Sequence, residues 1–154
     1  MAEVLKRLTE ARGVTSNENE VREIILELAA KAGAAVSVDR MGNVIAKKPG
    51  RTGGKKIMVA AHMDEVGFII SSISENGMLK FKPVGGIDQR ILLSKRVRIG
   101  KDGIPGVIGV KAIHLQEPSE RNTVIKQNQM YIDIGAHSKE EAQKVVELGD
   151  YASF

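Results

Sequence analysis

The sequence contains no cysteine and no tryptophan, and its aromatic content is three phenylalanines and two tyrosines in 154 residues. Without cysteine there is no disulfide and no thiolate metal site, so any bound metal must be held by His, Asp or Glu. So few aromatics leave no stacking platform for single-stranded nucleic acid and no aromatic strand motif of the RRM kind. No apolar run approaches the ~20 residues that a membrane span requires. The opening MAEVLKRLTEARG has neither an apolar h-region nor a small-residue cleavage site, which argues against a secretory signal. Cytoplasmic residence is the simplest reading, although a cysteine-free chain also suits export.

What is present is the composition of a globular protein, 42% hydrophobic and 27% charged, in a length that fits one domain or two small ones. The formal charge of +4 invites a nucleic-acid reading. Its densest basic stretches are Lys47, Lys48, Arg51, Lys55 and Lys56 around a Gly-rich loop, then Lys95, Arg96, Arg98 and Lys101. Neither is interleaved with aromatics, so both read as solvated basic faces, with no nucleic-acid partner and no membrane partner expected. The glycines of GIPGVIGV do not make a phosphate loop, because the G-x-x-x-x-G-K-[ST] pattern is missing.

Periodicity organises the chain. Val4, Leu5 and Leu8 recur at helical spacing before Gly13; Thr15 and Glu18 fit a capping box for a second helix carrying Val21, Ile24, Ile25 and Leu28, which Gly33 ends. The period then changes to two: Val36 and Val38 alternate with polar residues, Arg40 to Asn43 make a turn, and Val44 to Lys47 read as a strand. Beyond the polar loop Pro49 to Gly54, the run Ile57 to Ala61 predicts a strand buried on both faces, as in the middle of an α/β sheet, with His62 at its carboxyl end. Past Gly67 come short apolar runs punctuated by glycine: Phe68 to Ile73, Met78 to Val84, Ile91 to Leu93, Val97 to Ile99, Ile104 to Val110 and Met130 to Ile134. They predict a small barrel or sandwich. One helix follows Ser138, with Glu141 completing a second capping box and Gly149 closing it, and Tyr151 to Phe154 begins another strand. The expected fold is α/β: an incomplete N-terminal half of an α/β domain over residues 1–66, then a nearly complete β-barrel domain with one helix over residues 67–154.

The chemistry concentrates in AAHMDEVGF. In extended backbone His62 and Asp64 project to one side. A metal-binding histidine commonly donates its other ring N–H to a carboxylate, which suits Asp64 as the residue that orients His62; Asp64 also suits a weak direct ligand. The pattern alone equally fits a histidine capping a strand end with Asp64 and Glu65 solvated. Glu140 and Glu141 sit in a first helical turn, where acidic residues favour the helix N-terminus, and Glu18 and Glu20 read the same way. His114 in a loop and His137 before the last helix read as surface or packing histidines, and Asp133 as a turn residue.

Taken together, the blocks LTEARGVTSNENEVREII, VDRMGNVIAKKPG, MVAAHMDEVGFII, GVIGVKAIHLQEPSER and MYIDIGAHSKEEA resemble, in order and spacing, the tetrahedral or glutamyl (deblocking) aminopeptidases, also labelled cellulase M-like. The resemblance covers nearly the whole chain. It implies a co-catalytic metallopeptidase with two divalent ions, zinc or cobalt, that removes N-terminal residues from peptides. It further implies His62 as the first metal ligand, Asp64 as its orienting catalytic carboxylate, and the region after Gly67 as an inserted barrel that walls the site and makes homo-oligomer contacts. The family's bridging Asp, tandem Glu pair and later Asp and His correspond to positions beyond Phe154. The expectation is therefore a half-site that is inactive alone, with a non-catalytic oligomerisation or peptide-binding module as the alternative.

Overall fold

A computed structural model describes residues 1–51, 54–115, 117 and 123–154, and divides them into two compact units, Met1–Asp64 and Glu65–Phe154. The first unit contains α1 (Ala2–Glu10), α2 (Asn19–Lys31), β1 (Ala35–Val38) and β2 (Val44–Lys47). The barrel unit contains β3 (Gly67–Ile73), β4 (Leu79–Val84), β5 (Arg96–Ile99), β6 (Ile104–Gly109), β7 (Tyr131–Asp133), α3 (Lys139–Gln143) and β8 (Tyr151–Ser153). Among the described residues no helix is long and apolar enough to cross a membrane.

In the first unit α2 ends as its glycine predicts. Gly33 takes φ +74°, its amide donates to Ala30 O and that of Ala34 to Ala29 O, the paired bonds of a left-handed helix cap. Strands β1 and β2 then pair antiparallel with Ala35 opposite Lys47 and Val38 opposite Val44. Asp39 holds the turn between them: its Oδ1 accepts the amides of Met41 and Asn43, and its Oδ2 accepts the Asn43 side-chain amide.

Two expectations for this unit are corrected. Thr15 does not cap α2. The helix starts at Asn19 with Glu18 in the capping position and no side-chain cap bond, because Ser16 adopts φ +74° and the turn closes through Asn17 N to Val14 O. Nor is Ile57 to Ala61 a buried strand. Residues 54–63 form no regular element, and Ile57, Met58 and Val59 are 88%, 90% and 92% exposed. A strand exists only through hydrogen bonds to a neighbour, and among the described residues none pairs with this segment.

The barrel unit closes. Its strands run in the order β3-β4-β7-β6-β5-β8, with β8 returning to β3. Alternation supplies the core: Phe68, Ile70, Leu79, Phe81, Val97, Ile99, Ile108 and Ile132 point inward, while Arg96, Arg98 and Lys82 face out. A bulge between Ile70 and Ser72 shifts the register, so Ser71 and Ser72 are both exposed and Ile73 turns back to the core. Gly106 permits the close packing of three strands, since a Cβ there would meet Ile132 Cγ2 at 2.6 Å and Ile99 Cδ1 at 2.9 Å. The hairpin from β3 to β4 turns at Gly77, φ +82°, as Glu75-Asn76-Gly77 predicts. The run Ile91 to Leu93 is not a strand. Asp88 accepts the Arg90 amide and opens a 3-10 turn over Gln89–Ile91, which delivers Leu92 into the core. Helix α3 is capped by Ser138, whose hydroxyl accepts the Glu141 amide, and it buries Ala142 with Val146 behind it. Glu141 completes only half a box, because its carboxylate takes the amide of His137 and not that of Ser138.

Candidate half-site at His62 and Asp64

His62 lies in an irregular segment of the first unit, yet its ring has a fixed neighbour. Nδ1 stands 3.0 Å from Asp64 Oδ1 and 3.0 Å from the Asp64 backbone carbonyl oxygen. A carbonyl oxygen only accepts, so Nδ1 is a protonated nitrogen, and in the neutral imidazole Nε2 carries the lone pair. The His62 side chain is 85% exposed, leaving that lone pair accessible. Asp64 is itself held: Thr15 Oγ1 donates to its Oδ2 at 2.7 Å. The Thr15 bond does most to lower the Asp64 pKa below the ordinary carboxylate range; desolvation opposes it and the His62 bond adds to it.

The segment is braced from residues far back in sequence. A Cβ on Gly13 would lie 2.8 Å from Val21 Cγ2 and 3.1 Å from the Met63 carbonyl oxygen, and Val14 is buried. Sequence reasoning assigned Thr15 to a helix cap and so missed its bond to Asp64. No local signal marks a partner 49 positions away.

The other candidates belong to other elements. His114 is exposed in a 3-10 turn, Ile113–Leu115, and His137 is exposed ahead of α3. Asp133 ends β7 and accepts the Gly135 amide, and Glu140 and Glu141 serve the α3 terminus. Glu20 binds Arg12 through its backbone and guanidinium, and Glu18 accepts the Ser16 amide. Part of the block GVIGVKAIHLQEPSER, namely 116 and 118–121, lies outside the described residues. Among the described residues no group of three or more His, Asp or Glu could hold a metal ion. The donor chemistry therefore fits one ligand position, the Nε2 of His62, and does not fit a complete metal centre.

Comparison with known proteins identifies the family. The pattern of the M42 glutamyl aminopeptidases matches residues 42–154. The lysyl aminopeptidase of Pyrococcus furiosus is 32% identical over 97% of this chain and 45% of its own length. In the solved structure of a TET aminopeptidase from a marine sediment thaumarchaeon, 39% identical, 98% of this chain superposes on 43% of that one with a TM-score of 0.91. The TET1 peptidase of Pyrococcus horikoshii, which can assemble into a tetrahedron or a large octahedral shell, is 38% identical over 99% of this chain and 46% of its own, with a TM-score of 0.85. The chain thus spans less than half the length of these relatives. On the match across residues 42–154, this chain belongs to the M42 glutamyl aminopeptidase family.

Proposed function

We propose that this chain supplies the first part of a two-metal aminopeptidase that hydrolyses N-terminal residues from peptides, with His62 as a metal ligand and Asp64 as the catalytic carboxylate that orients it. The observation that carries the reading is the His62 geometry: Nδ1 is committed to Asp64 at 3.0 Å, and Nε2 is left as an exposed ligand-competent nitrogen. Zinc or cobalt ions in the completed site, one of them held in part by His62 Nε2, would supply polarisation of the scissile carbonyl and a water of lowered pKa. What the chain's own residues do is narrower. Asp64 accepts a hydrogen bond from the ring N–H at Nδ1, and Thr15 donates to Asp64.

The first unit is in this reading the incomplete half of the catalytic α/β domain, and the barrel unit the inserted domain that walls the site and carries homo-oligomer contacts. The assembly of the Pyrococcus horikoshii relative into closed shells supports the second role. Peptides are the proposed substrates and the cytoplasm the proposed location. One imidazole cannot hold two ions, so the 154-residue chain should be inactive by itself. Aminoacyl-p-nitroanilide hydrolysis by the purified chain with Zn²⁺ or Co²⁺ tests this: the expected rate is background, and turnover comparable to a full-length relative would refute it. A barrel that closes without help from the first unit's strands favours the alternative, a non-catalytic oligomerisation or peptide-binding module, if His62 proves indifferent to metal.

A further inference from the structure

We propose that Thr15 is a positioning residue for His62: its hydroxyl locks the Asp64 carboxylate, and the locked carboxylate keeps the His62 proton on Nδ1 so that Nε2 stays open toward a cation. The inference rests on the reading of His62 as a metal ligand, and it adds to that reading a residue from the loop between the two helices.

Two observations carry it. First, the two oxygens of Asp64 are engaged by different partners, Oδ2 accepting from Thr15 at 2.7 Å and Oδ1 facing His62 Nδ1 at 3.0 Å. A terminal carboxylate torsion is broad and only weakly constrained by itself, and the Asp64 side chain is 37% exposed, so burial does not fix it. Two bonds on opposite oxygens do. Second, the loop that presents Thr15 is anchored. Val14 is 2% exposed, Asn17 N donates to Val14 O at 2.7 Å, and Gly13 approaches Met63 so closely that a Cβ would sit 3.1 Å from its carbonyl oxygen. The same loop therefore touches the His62–Asp64 segment at two points, Gly13 to Met63 and Thr15 to Asp64. Orientation of a ligand through a hydrogen-bonded carboxylate, itself hydrogen-bonded, is the arrangement that sets the tautomer and basicity of metal-binding histidines.

The test reads the tautomer directly, without activity. In ¹⁵N-labelled, metal-free chain at a pH about two units above the ordinary His pKa of ~6.5, the His62 ring nitrogens should report the Nδ1–H form. Thr15→Val keeps the shape and removes the donor. It should shift the tautomer ratio roughly fivefold toward Nε2–H, the scale of one lost hydrogen bond. Thr15→Ser should restore the original ratio. An unchanged ratio in Thr15→Val overturns the proposal, as does Thr15→Ser behaving like Thr15→Val. Loss of the first unit's amide dispersion in Thr15→Val overturns it too, by assigning Thr15 to folding. A Zn²⁺ titration of the parent chain answers the other question. Perturbation of Nε2 supports the ligand reading. A silent Nε2 beside a tautomer that still depends on Thr15 refutes that reading alone.

Discussion

Among the described residues, every strand of the barrel unit has two hydrogen-bonded neighbours and fifteen apolar side chains are buried together, whereas in the first unit the only buried side chains are those of Val14 and Val21 and the apolar run at 57–59 faces solvent. The two regions do not differ in how apolar their sequence is. They differ in closure. A barrel removes its own edges, so each inward residue meets a residue from across the cylinder. The two-stranded hairpin β1–β2 does not close on itself; α2 packs against it, but a two-stranded sheet is marginal in water by itself.

The contrast can be broken with a pair of truncations. Phe68 is fully buried, with its ring 4.9 Å from Phe81 and 5.2 Å from Phe154 in edge-on contacts. Phe68→Ala should cost about 3–5 kcal/mol of barrel stability in a denaturant melt, and Val59→Ala, at an exposed position, should change it by less than about 0.5 kcal/mol. Comparable losses would mean that the apolar run is buried in solution and that the difference between the regions is not real. A smaller effect is expected at the hairpin glycine. Gly77 has φ +82° and a Cβ there would lie 2.6 Å from Ala136 O, so Gly77→Ala should cost about 1–3 kcal/mol, read as a lowered unfolding temperature of the barrel. A cost near zero would show that the turn can shift away from Ala136.

The smallest effect belongs to the first unit. Glu27 on α2 pairs with Arg7 on α1 and with Lys31; the Arg7 hydrogen bond, then that of Lys31, depresses its pKa from 4.5 to about 2. The folded value lies below the unfolded one, so the pairing stabilises the fold above pH ~4.5 and that contribution is lost as pH falls toward 2. Because the groups are substantially exposed, the gain is small and weakens with salt. A carboxyl NMR titration of Glu27 should give a midpoint near 2, and Arg7→Gln should raise it. An ordinary midpoint in the parent chain would mean that α1 does not hold its place on α2.

The barrel was legible from alternation because its strands satisfy one another nearby: Phe68 and Ile70 inward, Arg96 and Arg98 outward, glycine at the hairpin. Where residues depend on distant partners, local pattern misled. The run at 57–61 states a need for burial and not what would meet it. Leu92 reads as part of a strand, but Asp88 bends the chain four residues earlier. For the candidate site, the two-residue H-x-D separation is short enough that His62 and Asp64 meet at 3.0 Å even in an irregular segment. Thr15 was invisible in that role because a Thr three residues before a Glu signals a helix start just as well as a hydroxyl aimed 49 residues onward.

The last strand of the barrel has a kinetic consequence. β8 pairs with β3, Phe68 opposite Ala152, and with β5, Ile99 opposite Ala152. The contact that seals the cylinder thus joins the two ends of the unit's sequence. Loop-closure entropy must be met before that pairing returns anything, which favours slow, late closure. During synthesis the cylinder cannot close before Tyr151–Ser153 leaves the ribosome, and until then β3 and β5 lack the strand that covers their edges.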